Sequence, residues 1–270
     1  MNRPTSTADA LRGLHRSGLL IIANVWDAGS ARLVESLGAK AIATTSAGVA
    51  WSHGYPDGDV LPADLLLATI RSIARVISLP LSVDLEGGYS NDAEEVADLV
   101  ALAAEGGAVG INLEDGSGTP EELCAKIDAI KTRGTTQGFD VFVNARTDVF
   151  LRGLSTPETR VSVTLERARL YAAAGADGLF VPGLVAADEI AAVAAGTGLP
   201  LNVMARPGLP LAGGLQALGV RRLSAGSGLC EAAFGRIAEL AAGFLDDGNT
   251  APLLETAMAY PRINALMGDL

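Results

Sequence analysis

Residues 79–114 read LPLSVDLEGGYSNDAEEVADLVALAAEGGAVGINLE, and this stretch decides the fold. It opens on a short apolar run, Leu79–Asp84, with no polar/apolar alternation. A strand buried on both faces reads this way, as strands of a parallel sheet covered by helices do. Polar and glycine residues close the run. Asn91–Glu105 then carries Ala, Leu and Val at helical spacing, Gly106 and Gly107 end that helix, and a second apolar run, Val109–Glu114, begins. The stretch is one strand–helix–strand unit.

The same unit recurs along the chain. Further apolar runs lie at Leu19–Ala23, Ala39–Thr44, Phe139–Ala145, Gly178–Val181, Leu199–Ala205 and Val220–Ala225, making eight in all. Helical segments include Pro62–Ile77, Pro120–Arg133 and Thr156–Ala174, the first two with proline in the first turn and acidic residues near the positive end of the helix dipole. Eight units of about 30 residues account for about 240 of the 270 residues. The expectation is a single α/β domain over 1–270, a (β/α)8 TIM-type barrel with extra C-terminal helices. A doubly wound open sheet would want Gly-x-Gly-x-x-Gly after its first strand, and the turn here, NVWDAGSAR at 24–32, is not that. After the eighth run, Ser227–Leu245 reads as a helix with Leu229, Ala233, Ile237, Leu240 and Phe244 on one stripe, and Ala251–Met267 as a further helical segment interrupted by Pro261.

Composition removes several function classes. Lys plus Arg number 20 against 31 Asp plus Glu, a net charge of −11, so nucleic acid and anionic membrane surfaces are not expected partners. Two cysteines, Cys124 and Cys230, fit a reducing compartment rather than a disulfide scaffold. No run approaches the roughly 20 apolar residues of a membrane span, and the N-terminal stretch lacks the apolar segment of a signal peptide. A cytoplasmic protein is expected.

In barrels of this kind the chemistry sits at the C-terminal ends of the strands. Those ends supply Asn24, Trp26 and Asp27; Thr44 to Gly48, followed by a loop with His53, Asp57 and Asp59; Asp84, Glu86 and Tyr89; Asn112, Glu114 and Asp115; Asn144, Arg146 and Asp148; Asn202; and Ser224. Asp84, Glu86 and Glu114 read as three carboxylates from adjacent strands at one depth. Such a group repels itself unless a cation sits between its members, and oxygen-only ligands favour Mg²⁺ or Mn²⁺. The other reading of each is a helix-capping carboxylate. Elimination narrows the chemistry. The histidines are His15 and His53, and the lysines Lys40, Lys126 and Lys131 fall away from strand ends, so a caged zinc and a Schiff-base lysine are both excluded. Cys124 and Cys230 fall in helices, which leaves electrostatic catalysis by a metal and an arginine. Arg146 either grips a substrate carboxylate or pairs with a barrel-mouth acid. The turn TTSAGVA, residues 44–50, is either an anion-binding run of backbone N–H groups or a tight turn. SAGSGLCEAAF, residues 224–234, reads as a weak phosphate-site signal or as ordinary helix capping.

Five blocks in order, residues 24–59, 80–90 (PLSVDLEGGYS), 110–116 (GINLEDG), 143–151 (VNARTDVFL) and 166–183 (ERARLYAAAGADGLFVPG), resemble the isocitrate lyase/phosphoenolpyruvate mutase superfamily, in particular its small bacterial members. The resemblance implies a (β/α)8 barrel that binds Mg²⁺ and a 2-oxo acid or its enolate. It also implies a homodimer or homotetramer in which the 227–270 segment is exchanged between subunits. It assigns the substrate carboxylate to Ser46 with the backbone of Ala47 and Gly48, the metal to Asp84 with Glu86 and Glu114 reaching it directly or through water, and a place near the reaction to Asp57. Arg146 would contact the substrate; Trp26 and Asn202 complete the expected substrate contacts. Two departures stand out. The family's Asp-x-Asp is here Asp84-Leu85-Glu86, and the loop after Glu114 is short, without the Lys-Lys/Arg-Cys-Gly-His stretch of the lyases. The expected activity is a Mg-dependent lyase or decarboxylase acting on a small 2-oxo dicarboxylate, with Tyr89 or solvent protonating the enolate. Alternatives are a phosphonopyruvate-type P–C bond enzyme and a 2-oxo acid binding protein with little catalysis.

Overall fold

The eight apolar runs become eight parallel strands of one sheet. The computed structural model describes residues 7–255 and 257–268; residues 1–6, 256, 269 and 270, which the expected 1–270 domain includes, lie outside the described residues. The strands are β1 (Leu20–Ile22), β2 (Ile42–Ala43), β3 (Leu81–Asp84), β4 (Gly110–Glu114), β5 (Phe142–Arg146), β6 (Gly178–Phe180), β7 (Leu201–Met204) and β8 (Arg222–Ser224). Helices α1 (Ala8–Arg16), α2 (Ala28–Ser36), α3 (Ser46–Ser52), α4 (Ala63–Val76), α5 (Ala93–Glu105), α6 (Pro120–Gln137) and α7 (Arg160–Ala174) accompany the first five strands. Then come α8 (Ala187–Gly196), α9 (Ala212–Ala217), α10 (Gly228–Asp247), α11 (Ala251–Glu255) and α12 (Tyr260–Gly268). Strand order is β1-β8-β7-β6-β5-β4-β3-β2. The ring closes between β1 and β2 through one bridge, Val25 to Thr44. The expected (β/α)8 barrel is the fold.

Local chemistry sets the element ends. Thr119 and Glu122 form a capping box over the start of α6, where Pro120 occupies the first turn. Asp27 and Ser30 do the same for α2. Helix α7 starts at Arg160 rather than Thr156, because Thr156 to Thr159 form a turn closed by hydrogen bonds among their own hydroxyls and carbonyls.

Outward-facing strand residues such as Val83, Ile111, Val143, Leu179 and Val203 join the helices in the main core. Inside the ring a smaller apolar cluster, Leu11, Leu20, Ile22, Ala41, Ala43 and Phe142, is plugged from below by α1. Gly110 permits that plug, since a Cβ there would lie 2.5 Å from Leu11 Cδ2. Above it runs a ladder of amides. Asn144 Nδ2 donates to Asn112 Oδ1 at 2.9 Å and to Asn202 Oδ1 at 3.0 Å, and all three side chains are buried. Arg222, also facing inward, is fully buried, and no protein group accepts from its three nitrogens. Burial pulls it down to about 10, against the attraction of Asp84.

The plug carries a pH signature. His15 stacks on Phe142 at 4.4 Å, and its Nδ1 lies 2.8 Å from Leu11 O. Burial above all, and then the charge of Arg222, lower its pKa to about 4. A free histidine titrates near 6.5. The unfolded chain therefore takes up the proton first as pH falls. The stability contributed by neutral His15 is complete above about 6.5 and lost down to about 4, up to roughly 3 kcal/mol. Urea midpoints at pH 7.5 and 4.5 should diverge more in the wild type than in His15→Gln; parallel curves would refute this.

Candidate active site at the C-terminal mouth of the barrel

The strand register sets the depth of each acid. Asp84 is level with Asn112, while Glu114 is level with Arg146 two residues further along the neighbouring strands. Two residues are about 6–7 Å of strand. The three acids expected at one depth therefore occupy two levels, with Asp84 the deeper.

Asp84 meets the loop after β2. Its Oδ2 accepts from the Ser46 backbone N–H at 3.3 Å, and its own N–H donates to Thr44 Oγ1 at 2.9 Å. Its Oδ1 is buried with no protein partner. Ser46 opens α3, so the TTSAGVA stretch is a helix start, with Ala47 and Gly48 in its first turn. First-turn N–H groups have no acceptor within their own helix. Gly48 is required there, because a Cβ would come within 3.0 Å of Trp26 Cβ and 3.3 Å of Cys230 Sγ. Trp26 thus packs beneath the turn. Asp57 reaches back to the hydroxyl of Ser46; burial raises its pKa, the Ser46 hydrogen bond opposes the rise, and the charge of Asp84 adds to it. Ser46, Asp57 and Asp84 converge.

Glu86 is turned aside. Its Oε2 accepts from the Asp59 N–H at 2.5 Å, and its Oε1 accepts from the Tyr89 hydroxyl at 2.9 Å. Asp59 in turn accepts from Gly87 N and Tyr89 N. Asp59, Glu86 and Tyr89 all have positive φ, between 51° and 61°, a cost that this interlocking offsets. Tyr89 does not suit the role of proton donor expected of it, since burial and the charge of Glu86 push its pKa far up and Glu86 holds its proton.

Glu114 faces Arg146, at 2.5 Å from Nη1. Burial raises the pKa of Glu114; Arg146 pulls the other way, and Asp148, Asp84 and Asp59 add to the rise. Arg146 also places Nε 2.7 Å and Nη2 3.1 Å from the two oxygens of Asp148. Of the two readings of this arginine, the ion pair with mouth acids is the arrangement found. Asp148 is fixed in turn, its N–H donating to Asp115, which also accepts from Arg167 and Tyr171. Asn202 belongs to the interior ladder, its amide committed to Asn144, Val203, Arg222 and Ser224, so it is a structural residue and not the expected substrate contact.

Among the described residues no group of three or more His, Cys, Asp or Glu is arranged to hold a metal. Glu86 and Glu114 are held by protein donors, and Asp84 keeps an unfilled buried oxygen; of the direct and water-mediated contacts expected of the two glutamates, the water-mediated one is compatible with these bonds. That donor set fits Mg²⁺, which keeps most of its waters and takes one or two carboxylates plus substrate oxygens. Asp59, Asp115, Asp148 and Arg152 were not singled out by the sequence reading as working parts of the mouth. Aligning GINLE with FVNAR in parallel register is the signal that pairs Glu114 with Arg146.

Beside Glu114 a cavity of about 440 Å³ opens between the loops after β3 and β4, lined among others by Asp59, Tyr89, Ser117, Thr119, Lys126 and Arg152. The phosphoenolpyruvate phosphomutase family matches residues 11–245. The chain belongs to that family, within the isocitrate lyase/phosphoenolpyruvate mutase superfamily. An uncharacterized protein of Mycobacterium tuberculosis (strain ATCC 25618 / H37Rv) is 36% identical over 261 residues, 95% of each chain. An oxaloacetate decarboxylase of Bradyrhizobium sp. (strain BTAi1 / ATCC BAA-1182) is 31% identical over 68% of this chain and 65% of its own. A crystal structure of phosphonopyruvate hydrolase with oxalate and Mg²⁺ superposes with a TM-score of 0.84 at 26% identity, covering 98% of this chain and 95% of that one. The family's named members are lyases, mutases and related enzymes, and the superfamily is Mg-dependent. No helix of the described residues is long and apolar enough to cross a membrane.

Proposed function

We propose that this superfamily member is a Mg²⁺-dependent (or Mn²⁺-dependent) carbon–carbon lyase or decarboxylase acting on a small 2-oxo dicarboxylate. The observation that carries this reading is the unfilled Oδ1 of Asp84, buried where Ser46 and Asp57 converge at the barrel mouth. The 31% identical oxaloacetate decarboxylase supports the substrate class. Asp84 would hold the metal, with Glu86 and Glu114 acting at most through its waters. When bound, the metal supplies Lewis-acid polarisation of the keto oxygen and charge stabilisation of an enolate. The residues around it do the rest. Ser46, with the N–H groups of Ala47 and Gly48 in the first turn of α3, would meet the substrate's carboxylate. Asp57, hydrogen-bonded to Ser46, stands at the mouth where the resemblance places an acid near the reaction. Arg146 orients Glu114, and the N–H groups it does not spend on Glu114 and Asp148 would meet a substrate oxygen.

The protein is also proposed to work as an oligomer in the cytoplasm. Two features support this: free Cys124 and Cys230, and an α10 whose Leu229, Phe234, Ile237 and Leu245 stand exposed. Helix α12 returns to its own barrel, where Arg32 Nε donates to Leu266 O at 3.1 Å, so the exchanged element would be α10.

Turnover of oxaloacetate, longer 2-oxo diacids and phosphonopyruvate, with Mg²⁺ and with a chelator, tests the function; sedimentation of the same sample tests the assembly. Metal-dependent loss of a 2-oxo diacid by a dimer or tetramer is expected. Binding without turnover would leave a 2-oxo acid binding protein, cleavage of phosphonopyruvate alone a P–C bond enzyme, and a stable monomer would remove the exchange.

A further inference from the structure

We propose that Arg222 is a positive charge built into the barrel interior behind Asp84, which opposes bare Mg²⁺ and favours the anionic substrate at the mouth. This rests on the reading above of Asp84 as the metal's carboxylate.

A buried arginine is ordinarily paired and hydrogen-bonded. Arg222 is not. It is 0% exposed, and its Nε, Nη1 and Nη2 have no acceptor among the described residues. Its backbone is fixed low in the ring, level with Leu20 of β1 and Asn202 of β7, and its carbonyl accepts from Asn202 Nδ2 at 3.2 Å. Two further polar atoms of the interior are buried without a protein partner, Ser82 Oγ and His15 Nε2. Ser82 precedes Asp84 by two residues on β3, so it shares the inner face. His15 Nδ1 donates to Leu11 O, which leaves Nε2 of the neutral ring as a lone pair. Arg222 is thus surrounded by acceptors and by one acid, a setting that repels a resident counter-anion.

The acid whose attraction Arg222 feels is Asp84. Even pulled down by burial to about 10, Arg222 is a cation at neutral pH. No ion pair joins the two, so Oδ1 of Asp84 is not consumed by the guanidinium. A cation held out of contact projects its charge through a low-dielectric interior that salt screens little. It acts in opposite senses on the two ligands of the mouth. A divalent cation at Asp84 is repelled, and a carboxylate or enolate is attracted.

The test is calorimetry on wild type, Arg222→Met and Arg222→Gln, with Ser82→Ala as a neutral change on the same inner face. The probes are Mg²⁺ alone, then oxalate at saturating Mg²⁺. In both Arg222 variants Mg²⁺ alone should bind fivefold or more tighter and oxalate threefold or more weaker. Ser82→Ala should keep both within twofold. Mere disturbance of Asp84 would weaken both ligands together. Mg²⁺ affinity within twofold of wild type in the Arg222 variants, a loss of it, or a shift of both ligands in one direction overturns the proposal. So does an equal effect in Ser82→Ala. If wild type takes up no Mg²⁺ with or without oxalate, the Asp84 metal reading falls and this proposal with it.

Discussion

Asp84→Ala should abolish every response of this protein to Mg²⁺. In the wild type, added Mg²⁺ should raise the unfolding temperature and give a saturable heat, because a ion that binds only the folded state stabilises it by RT ln(1 + [L]/Kd). Among the described residues, Asp84 is the one acid of the mouth with a buried oxygen that no donor fills. Glu86 and Glu114 are already spoken for by Asp59, Tyr89 and Arg146, so neither can take over without breaking those bonds. Without metal the variant should unfold within about 1 kcal/mol of the wild type, since two effects oppose each other. Losing Asp84 relieves its repulsion of Asp57 and Glu114, but it also strips the Ser46 N–H of its acceptor and removes the attraction that Arg222 feels. A variant that still shows the wild-type shift with Mg²⁺ would move the metal elsewhere.

Arg146→Ala is the second large effect, and it is one of stability. The side chain sits between Glu114 and Asp148, which are 12% and 0% exposed. Removing one partner of a buried ion pair typically costs about 3–5 kcal/mol, because the charge left behind is uncompensated. Asp148 keeps Arg152 at 2.8 Å, which argues for the lower end, about 3 kcal/mol. For a chain of this size that is a fall of roughly 6–12 °C in Tm. Arg146→Lys should fall between, as it keeps the charge but cannot reach both acids with a planar fork. The loss appears without ligand; an unchanged Tm in Arg146→Ala would refute the stabilising ion pair.

The barrel was legible in the sequence because its signal is additive. Eight doubly buried strands each leave an apolar run, and no single run has to be right. The residues at the strand ends were legible as a set for the same reason, since topology alone brings them to one mouth. What the sequence could not supply was depth and direction. Asp84 and Glu114 differ by one level of side chains because of register, which a one-dimensional reading assigns only by aligning the strands in pairs. Glu86 faces Asp59 through a left-handed backbone that nothing in a glutamate announces. Asn202 lies within the run Leu199–Ala205 rather than at its end, and the Asn112–Asn144 ladder captures it inside the barrel. Arg152 lies beyond its strand end, in a loop, where no apolar run marks it.

The ring of strands is not equally stiff all round. β4 and β5 are paired over five residues, whereas β1 meets β2 only through Val25, whose N–H donates to Ala43 O and whose carbonyl accepts from Thr45 N. Local opening follows the path with the fewest backbone bonds to break. The seam at Val25 is therefore where the wall yields first, and its amides exchange with solvent ahead of those in β4. The turn carrying Ser46 hangs from that seam by Thr45. Breathing of the barrel is thus channelled to the Ser46 turn while the Glu114–Arg146–Asp148 side stays rigid, giving one mouth a compliant jaw and a fixed one.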